Sequence, residues 1–562
     1  MDQQKRISRR RFLSGAVYGG GGTLLAACGA TPEANDTTTN TTTETEGRAT
    51  ATEVSAPGTT SGLTLTYWVP MEPNVAASLQ NYSDMTCYKE LAKRTDISLD
   101  FQHPSTNQSG QLQEQFNLMI ASGSYPDVIE AFWLNDYNGG PVKAIEDNVI
   151  LRLNDLIEQH APNLTKVLND NPEWRKQVVT DNGDIYCFPF LRGDRTLLTF
   201  AGPTIRQDWL TTLGLVSPKT IDEWDTVLTA FKDQDPNGNS QADEFPFTSW
   251  LFGSPRAGFD RTHAFVGAWG ITTGFYQVDG AIQYGPMKPE FREFLTVMTD
   301  WYNRKLLDPD TFSMDQNLMD AKVTGGTLGA AVMALGGGIG KYTSLMEETD
   351  AAFNLQALPY PVLNASDSPI LGQRDSHFTG LYCAAITTSN QNPEETVKLL
   401  DYAYGEEGHL LFNFGVAGET YTMENGKPIY TDEIMNNPDD LPIAQALGKH
   451  VRSSFGGPFV QAKGYGEQYF QLPQQQEGLE VWSAPSNERL LPPLTPTAEE
   501  ARRIGRIEGE INTRFDEVFS KILTGAEPLE TWDTFQQELQ QLGIEEAIEI
   551  QQAALGRYNQ RT

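Results

Sequence analysis

A chain of 562 residues, 10% of them aromatic, has the length of two or three domains and the composition of an ordinary globular protein. Lys and Arg total 41 against 74 Asp and Glu, a net charge of −33. That excess of acid excludes nucleic acid and anionic lipid as ligands of the folded body, and suits plain solubility in a salty exterior medium.

The first thirty residues read as an address label. Ser8-Arg9-Arg10-Arg11-Phe12-Leu13 is a twin-arginine export pattern. The apolar run from Leu13 to Ala27 is diluted by Gly19 to Gly22, too short and too glycine-rich for a transmembrane helix. Leu25-Ala26-Ala27-Cys28 fits a lipobox. An ordinary cleaved signal with an incidental cysteine is the plainer alternative. The order of basic region, apolar run, small residues and cysteine favours a signal peptide over 1–27 and acylation of Cys28, palmitate included. Removal of a leader with five basic residues and one acidic residue takes the mature chain to about −37. Residues 28–62 carry few apolar side chains and a Thr-rich tract from Thr37 to Thr45, so they read as a solvated tether. Three other cysteines, Cys87, Cys187 and Cys383, are odd in number and widely spaced. They read as small buried residues, with one disulfide pair left open.

The body begins at Leu63. Leu63 to Val69 alternates and stops at Pro70, as a strand does. A helix over Tyr88 to Thr95 and a strand over Ile97 to Phe101 follow. Leu112, Phe116, Met119 and Ile120 then mark one helical face, and Val128-Ile129 a short buried strand. This alternation predicts a parallel α/β sheet. Farther on, helices are predicted over Ile221 to Lys232, Phe291 to Leu306 and Pro393 to Tyr404. Val332 to Leu335 reads as a strand entering a glycine loop, and Tyr382 to Ile386 as another strand. Thr497-Ala498-Glu499-Glu500 is a capping box, opening a helix with Ile504, Ile507, Ile511, Phe515, Val518 and Ile522 on one face.

Along nearly the whole body the chain resembles the family-1 extracellular solute-binding proteins of ABC importers, in their LplA-like and alginate-binding-like lipoprotein branch. The matching pieces are Phe116 to Gly123 with Pro126-Asp127, Ala161 to Leu164, Asp208-Trp209-Leu210 with Leu213-Gly214-Leu215, Trp301-Tyr302, Glu406-Glu407-Gly408 and Gly415 to Tyr421. Two departures are Gly405, where a serine is common, and Leu555-Gly556-Arg557-Tyr558, which lacks the usual aspartate before the arginine. The resemblance implies a two-lobed α/β receptor with a hinge and helical C-terminal elements. One lobe would hold 63–195 plus about 370–440, and the other 196–369 plus about 441–562. It also implies a monomeric, lipid-anchored receptor that delivers a carbohydrate, most naturally an oligosaccharide, to membrane permease subunits by cleft closure.

Asp233 to Glu244 fits the calcium-loop pattern D-x-[DN]-x-[DN]-G-x5-E. Calcium takes six to eight oxygen ligands, which alternating Asp and Asn supply from a tight loop. Two registers compete, one starting at Asp233 and ending at Glu244. The other uses Asp235, Asn237, Asn239, the carbonyl of Gln241, Asp243 and Glu244, and the alginate-binding relatives resemble this second one. A polar turn after a helix is the bland alternative.

A sugar receptor needs aromatic platforms beside polar groups, and ligands of open α/β sheets sit beyond the carboxyl ends of strands. The candidates on that ground are Trp68 and Trp133, then Trp250, Trp269 and Tyr382, with Asp127, Arg206 and Arg374 as polar partners. Against them, a single Trp is more often core, Asp127 can cap a turn, and Arg206 can pair with Asp208. Trp209, Trp224 and Trp301 fall in helical patterns and read as core. The rival class is an exported carbohydrate-active enzyme. No G-x-S-x-G, H-E-x-x-H or P-loop pattern occurs, and 74 acidic residues make a carboxylate pair uninformative. An adhesion module would show repeats or an all-β pattern, and neither is present.

Overall fold

Leu63–Trp68 forms the strand its alternation predicts, with Leu65, Tyr67 and Trp68 buried. The computed structural model describes residues 62–105, 111–251, 254–439, 441–452 and 456–561. The export leader, Cys28 and the Thr-rich tether up to residue 61 lie outside the described residues. Ile97–Gln102 and Val128–Ala131 flank Leu63–Trp68 in parallel, with Trp68 opposite both Gln102 and Ile129. Helices Thr86–Thr95 and Gln111–Ser122 lie on the connections, as parallel pairing requires. Cys383–Ile386 returns antiparallel beside Val128–Ala131, giving the order 383–386, 128–131, 63–68, 97–102. Tyr82, Phe116, Trp133, Phe188, Val397 and Phe412 are among the side chains that fill the core around this sheet.

A second sheet has the order 355–357, 201–206, 328–334, 245–248. Ala330, Val332 and Ala334 face one cluster with Trp209, Trp224 and Trp301, while Ala331 and Met333 face a smaller one with Trp250 and Tyr342. The sheet is therefore covered on both sides. Its strand Leu328–Ala334 is longer than the sequence suggests, and the glycines after it form a wide helical turn, Leu335–Gly340, instead of an open loop. The three helices read as core-facing through Trp209, Trp224 and Trp301 are so, each indole being at most 1% exposed. Ala498–Leu523 opens with the expected capping box at Thr497 and Glu500, and its six expected apolar residues are all buried. It packs with Thr531–Leu542 and Ile544–Gln560 against helix Pro289–Asn303, where Phe291 stacks on Trp532 at 4.9 Å.

Three segments of the first core run side by side at a seam. Leu191–Arg192 pairs in parallel with Val460–Gln461, and the Arg192 amide donates to the His377 carbonyl at 3.0 Å. The backbones approach so closely that a Cβ on Gly193 would stand 2.5 Å from the Gln461 carbonyl oxygen. The stretch from 443 to about 461 packs with the first sheet. Gly448 packs on Asn74, the Thr86 hydroxyl lies 2.9 Å from His450 Nδ1, and Arg452 pairs with Glu130. Cys87, Cys187 and Cys383 are buried free thiols, and Cys383 donates to the Gly380 carbonyl at 3.4 Å. Among the described residues no helix is long and apolar enough to cross a membrane.

Gly202 lies under the Trp482 ring, where a Cβ would come within 2.3 Å of the indole. Gly202→Ala forces helix Pro473–Trp482 off the second sheet. We expect a loss of about 1–3 kcal/mol, read as a lower thermal midpoint.

Candidate functional site

The carboxyl ends of the first sheet's strands carry a buried polar network. Glu130 is the one acid in Val128–Ala131 and is fully enclosed. It accepts from Tyr67 Oη at 2.9 Å and forms a close ion pair with Arg452. Arg452 Nη1 also donates to Tyr82 Oη at 3.0 Å, and that oxygen accepts the Glu72 amide at 2.9 Å. Burial lifts the Glu130 carboxyl above the ordinary range, and Arg452 pulls against it. Burial and Glu130 push the Tyr67 phenol far up, so it stays a donor. Burial lowers His103, whose neutral ring donates from Nδ1 to the Val69 carbonyl at 2.9 Å and accepts the Tyr82 amide on Nε2 at 3.1 Å. Sequence reasoning missed Glu130 and Arg452. The available signal was a lone acid inside Val-Ile-Glu-Ala, since a charge in a buried strand must be paired.

Tyr382 stands beside this network. Its backbone is left-handed (φ 45°), its ring packs on Gly456, and it is only partly buried. Burial raises its phenol, with Asp136 and Glu130 adding to the rise. Trp133 lies beneath and is wholly enclosed, edge-on to Phe116 at 5.7 Å, so neither of its faces is open to a ligand. Its neighbour Phe132 is half-buried instead, with its ring against Gly380. The backbone alternation after Ala131 thus turns the smaller ring outward. Trp68 likewise packs on Phe116, at 5.9 Å. Asp127 ties two strands together, taking the Thr66 amide at 2.8 Å and the Thr66 hydroxyl at 2.7 Å.

The remaining candidates divide sharply. Trp250 and Trp269 are buried in the second core, Trp269 against Phe294 at 5.6 Å. Arg206 is 3% exposed and makes a two-point pair with Asp208, at 2.8 and 2.5 Å, over the rings of Trp209 and Phe353. That is the structural pairing its neighbour in sequence suggested. Arg374 is different. It lies at the seam, over the Phe200 ring at 4.7 Å, with no acid partner among the described residues.

The acidic loop follows helix Ile221–Asp233 and feeds strand Phe245–Thr248. Asp235, Gly238 and Ser240 all have positive φ, which curls the chain. Asp235 accepts the amides of Asn239 and Ser240, both at 3.0 Å, and Asn239 Oδ1 accepts that of Gln241 at 2.7 Å. Side-chain amides of Asn237 and Asn239 reach Asp243 at 3.1 Å. Glu244 Oε1 is buried without a partner, and burial, with Asp243 and Asp235 nearby, raises its carboxyl. Asp233 instead lies 3.6 Å from Lys232 and is exposed. The loop therefore gathers the residues of the register that starts at Asp235. Its donors are three carboxylates mixed with amides. Among the described residues no group of three or more His, Cys, Asp or Glu is assembled as a metal centre.

The tight Glu130–Arg452 pair leaves a stranded guanidinium if the acid is neutralised. Glu130→Gln is expected to cost about 3–5 kcal/mol in chemical unfolding, and adding Arg452→Met is expected to return part of it.

A family model described as bacterial extracellular solute-binding protein matches residues 77–409. The chain is 26% identical over 521 residues to the fructooligosaccharide ABC transporter substrate-binding protein FusA of Streptococcus pneumoniae, covering 87% of this chain and 88% of that protein. It is 26% identical over 351 residues to lipoprotein LipO of Bacillus subtilis, covering 60% and 65% respectively. Among solved structures, the alginate-binding protein AlgQ2 without calcium ion matches with a TM-score of 0.70 at 25% identity, covering 89% of this chain and 99% of that one. The FusA EF-hand mutant in complex with fructo-nystose matches with a TM-score of 0.71 at 23% identity, covering 89% and 100%. The fold is the two-lobed α/β architecture of these proteins.

Proposed function

The chain belongs to the bacterial extracellular solute-binding protein family, and we propose that it captures an oligosaccharide outside the cytoplasm and delivers it to the permease of an ABC importer. It is a receptor and not an enzyme: the solute is held and released with its bonds intact. One observation carries the reading within this chain. The candidates left partly open are Tyr382, beside the Glu130 network of the first core, and Arg374, which lies over Phe200, a ring packed against the second core, while the indoles inside each core are packed shut. A ligand bound there touches both lobes, and hinge closure over it follows. The lobes on this reading are 63–195 with 370 to about 461, and 196–369 with the C-terminal helices.

The anchor at Cys28 and the tether over 28–62 complete the proposal. A lipid-held receptor keeps its solute beside the permease. LipO, named a lipoprotein, supports this part.

The loop from Asp235 to Glu244 is proposed to bind calcium. Its curled backbone, its clustered oxygens and the orphaned Glu244 Oε1 fit a hard cation. The ion would neutralise Asp235, Asp243 and Glu244 and pin the exit of helix Ile221–Asp233 to strand Phe245–Thr248. The role is structural, since the loop lies in the second lobe away from Tyr382 and its network.

A thermal-shift screen against mono- and oligosaccharides, run with calcium and with chelator, tests both parts. An oligosaccharide at about a hundred times its Kd should stabilise the fold by about 2.7 kcal/mol. Chelator should lower the midpoint of the wild type and leave Asp243→Ala unmoved. Appearance of new reducing ends would contradict the receptor reading, and indifference of the wild type to chelator would contradict the calcium site.

A further inference from the structure

Among the described residues most guanidiniums are paired with carboxylates, as Arg206, Arg304, Arg452, Arg514, Arg557 and Arg561 are. The seam departs from that rule. Arg192 spends Nη1 on the Leu197 carbonyl at 2.8 Å and on Gln461 Oε1 at 3.2 Å, while its Nε is buried with no partner. Arg374 makes no side-chain hydrogen bond and no ion pair among the described residues; its contact is the Phe200 ring beneath it. Burial lowers Arg192 to about 9, with the like charge of Arg374 adding to the effect. Burial lowers Arg374 to about 10, with Arg261 adding to it.

Asp194 and Asp375, close to these arginines in sequence, are engaged elsewhere. Asp194 Oδ1 caps Thr196 at 2.9 Å, and its other oxygen lies 3.8 Å from Lys463. Asp375 answers electrostatically to Arg195 and His377. A chain with 74 acidic residues has no shortage of carboxylates to place there. Holding like charges together out of water is unfavourable, and an arriving anion would relieve that repulsion.

We propose that the ligand is an acidic oligosaccharide, and that Arg374, backed by Phe200 and by the neighbouring charge of Arg192, receives a carboxylate or sulfate group carried on it. The planar fork of a guanidinium offers two parallel donors to such a group, and its stacking on Phe200 fixes the plane in which they point. This inference rests on the solute-receptor reading and adds the charge of the solute to it.

The test is a titration panel: oligosaccharides of galacturonate, of mannuronate and guluronate, of glucuronate and of sulfated galactose, each beside its neutral counterpart. Wild type, Arg374→Gln and Arg374→Lys are compared at low and high salt. Since Arg374 supports no internal ion pair, both variants should melt with the unliganded wild type. At least one acidic member should bind about tenfold or more tighter than its neutral partner. That preference should shrink with salt, vanish in Arg374→Gln and survive largely in Arg374→Lys. Preference for the neutral sugar, or an acidic preference unchanged in Arg374→Gln, overturns the proposal and leaves the receptor reading standing. Binding of no member, acidic or neutral, overturns both.

Discussion

The architecture depends on the close approach of three backbones at the seam. Leu191–Gly193, His377-Phe378 and Phe459–Gln461 run side by side, and only a residue without a Cβ fits at position 193. The pairing is short, two residues on each partner of the parallel ladder. All three segments belong to the first core, where Leu191, Phe378 and Phe459 are buried together. The cores themselves are closed, with large indoles and stacked rings such as Phe291 on Trp532. Two packed cores that each keep their shape are what cleft closure on a solute requires.

Charge is distributed to match. Within the first lobe the buried Glu130–Arg452 pair is flanked by Tyr67 and Tyr82, whose hydroxyls hydrogen-bond to Glu130 and Arg452. The pair ties residues after 443 to the edge of the first sheet, which is why that stretch belongs there. In the second lobe the concentrated charge is acidic and sits in the Asp235 to Glu244 loop, where amides of Asn237 and Asn239 cover Asp243. At the seam the balance is reversed, with Arg192 and Arg374 in no ion pair among the described residues. Arginines are thus matched with carboxylates inside the lobes and left without them where a solute is proposed to enter.

Much of the fold was legible because strong local patterns agreed with it. The alternation of Leu63 to Trp68, the Thr497 capping box and the apolar face from Ile504 to Ile522 all fold as they read. The second sheet was harder. The central strand Ala201–Arg206 contains Gly202 and Pro203, and the edge strand Phe245–Thr248 contains Pro246, so both lack β propensity and are held by burial and by pairing with their neighbours. The curled acidic loop from Asp235 to Glu244 was legible because the spacing of its Asp, Asn and Gly residues is a local property. The ligand site was not. Choosing Trp133 over Phe132 depends on a one-residue turn after a strand, and Trp250 and Trp269 look from sequence like any platform. Arg206 carried its partner Asp208 two residues away, while the isolation of Arg374 depends on segments far apart in the chain.

The central claim is that the two lobes close on an oligosaccharide without altering it. Small-angle X-ray scattering of the soluble body, with and without a saturating oligosaccharide found in the screen, measures closure directly. The account predicts a smaller radius of gyration on binding, full reversal on removal, and recovery of the sugar at its original length. An unchanged radius at saturation, or a shortened sugar, would contradict it.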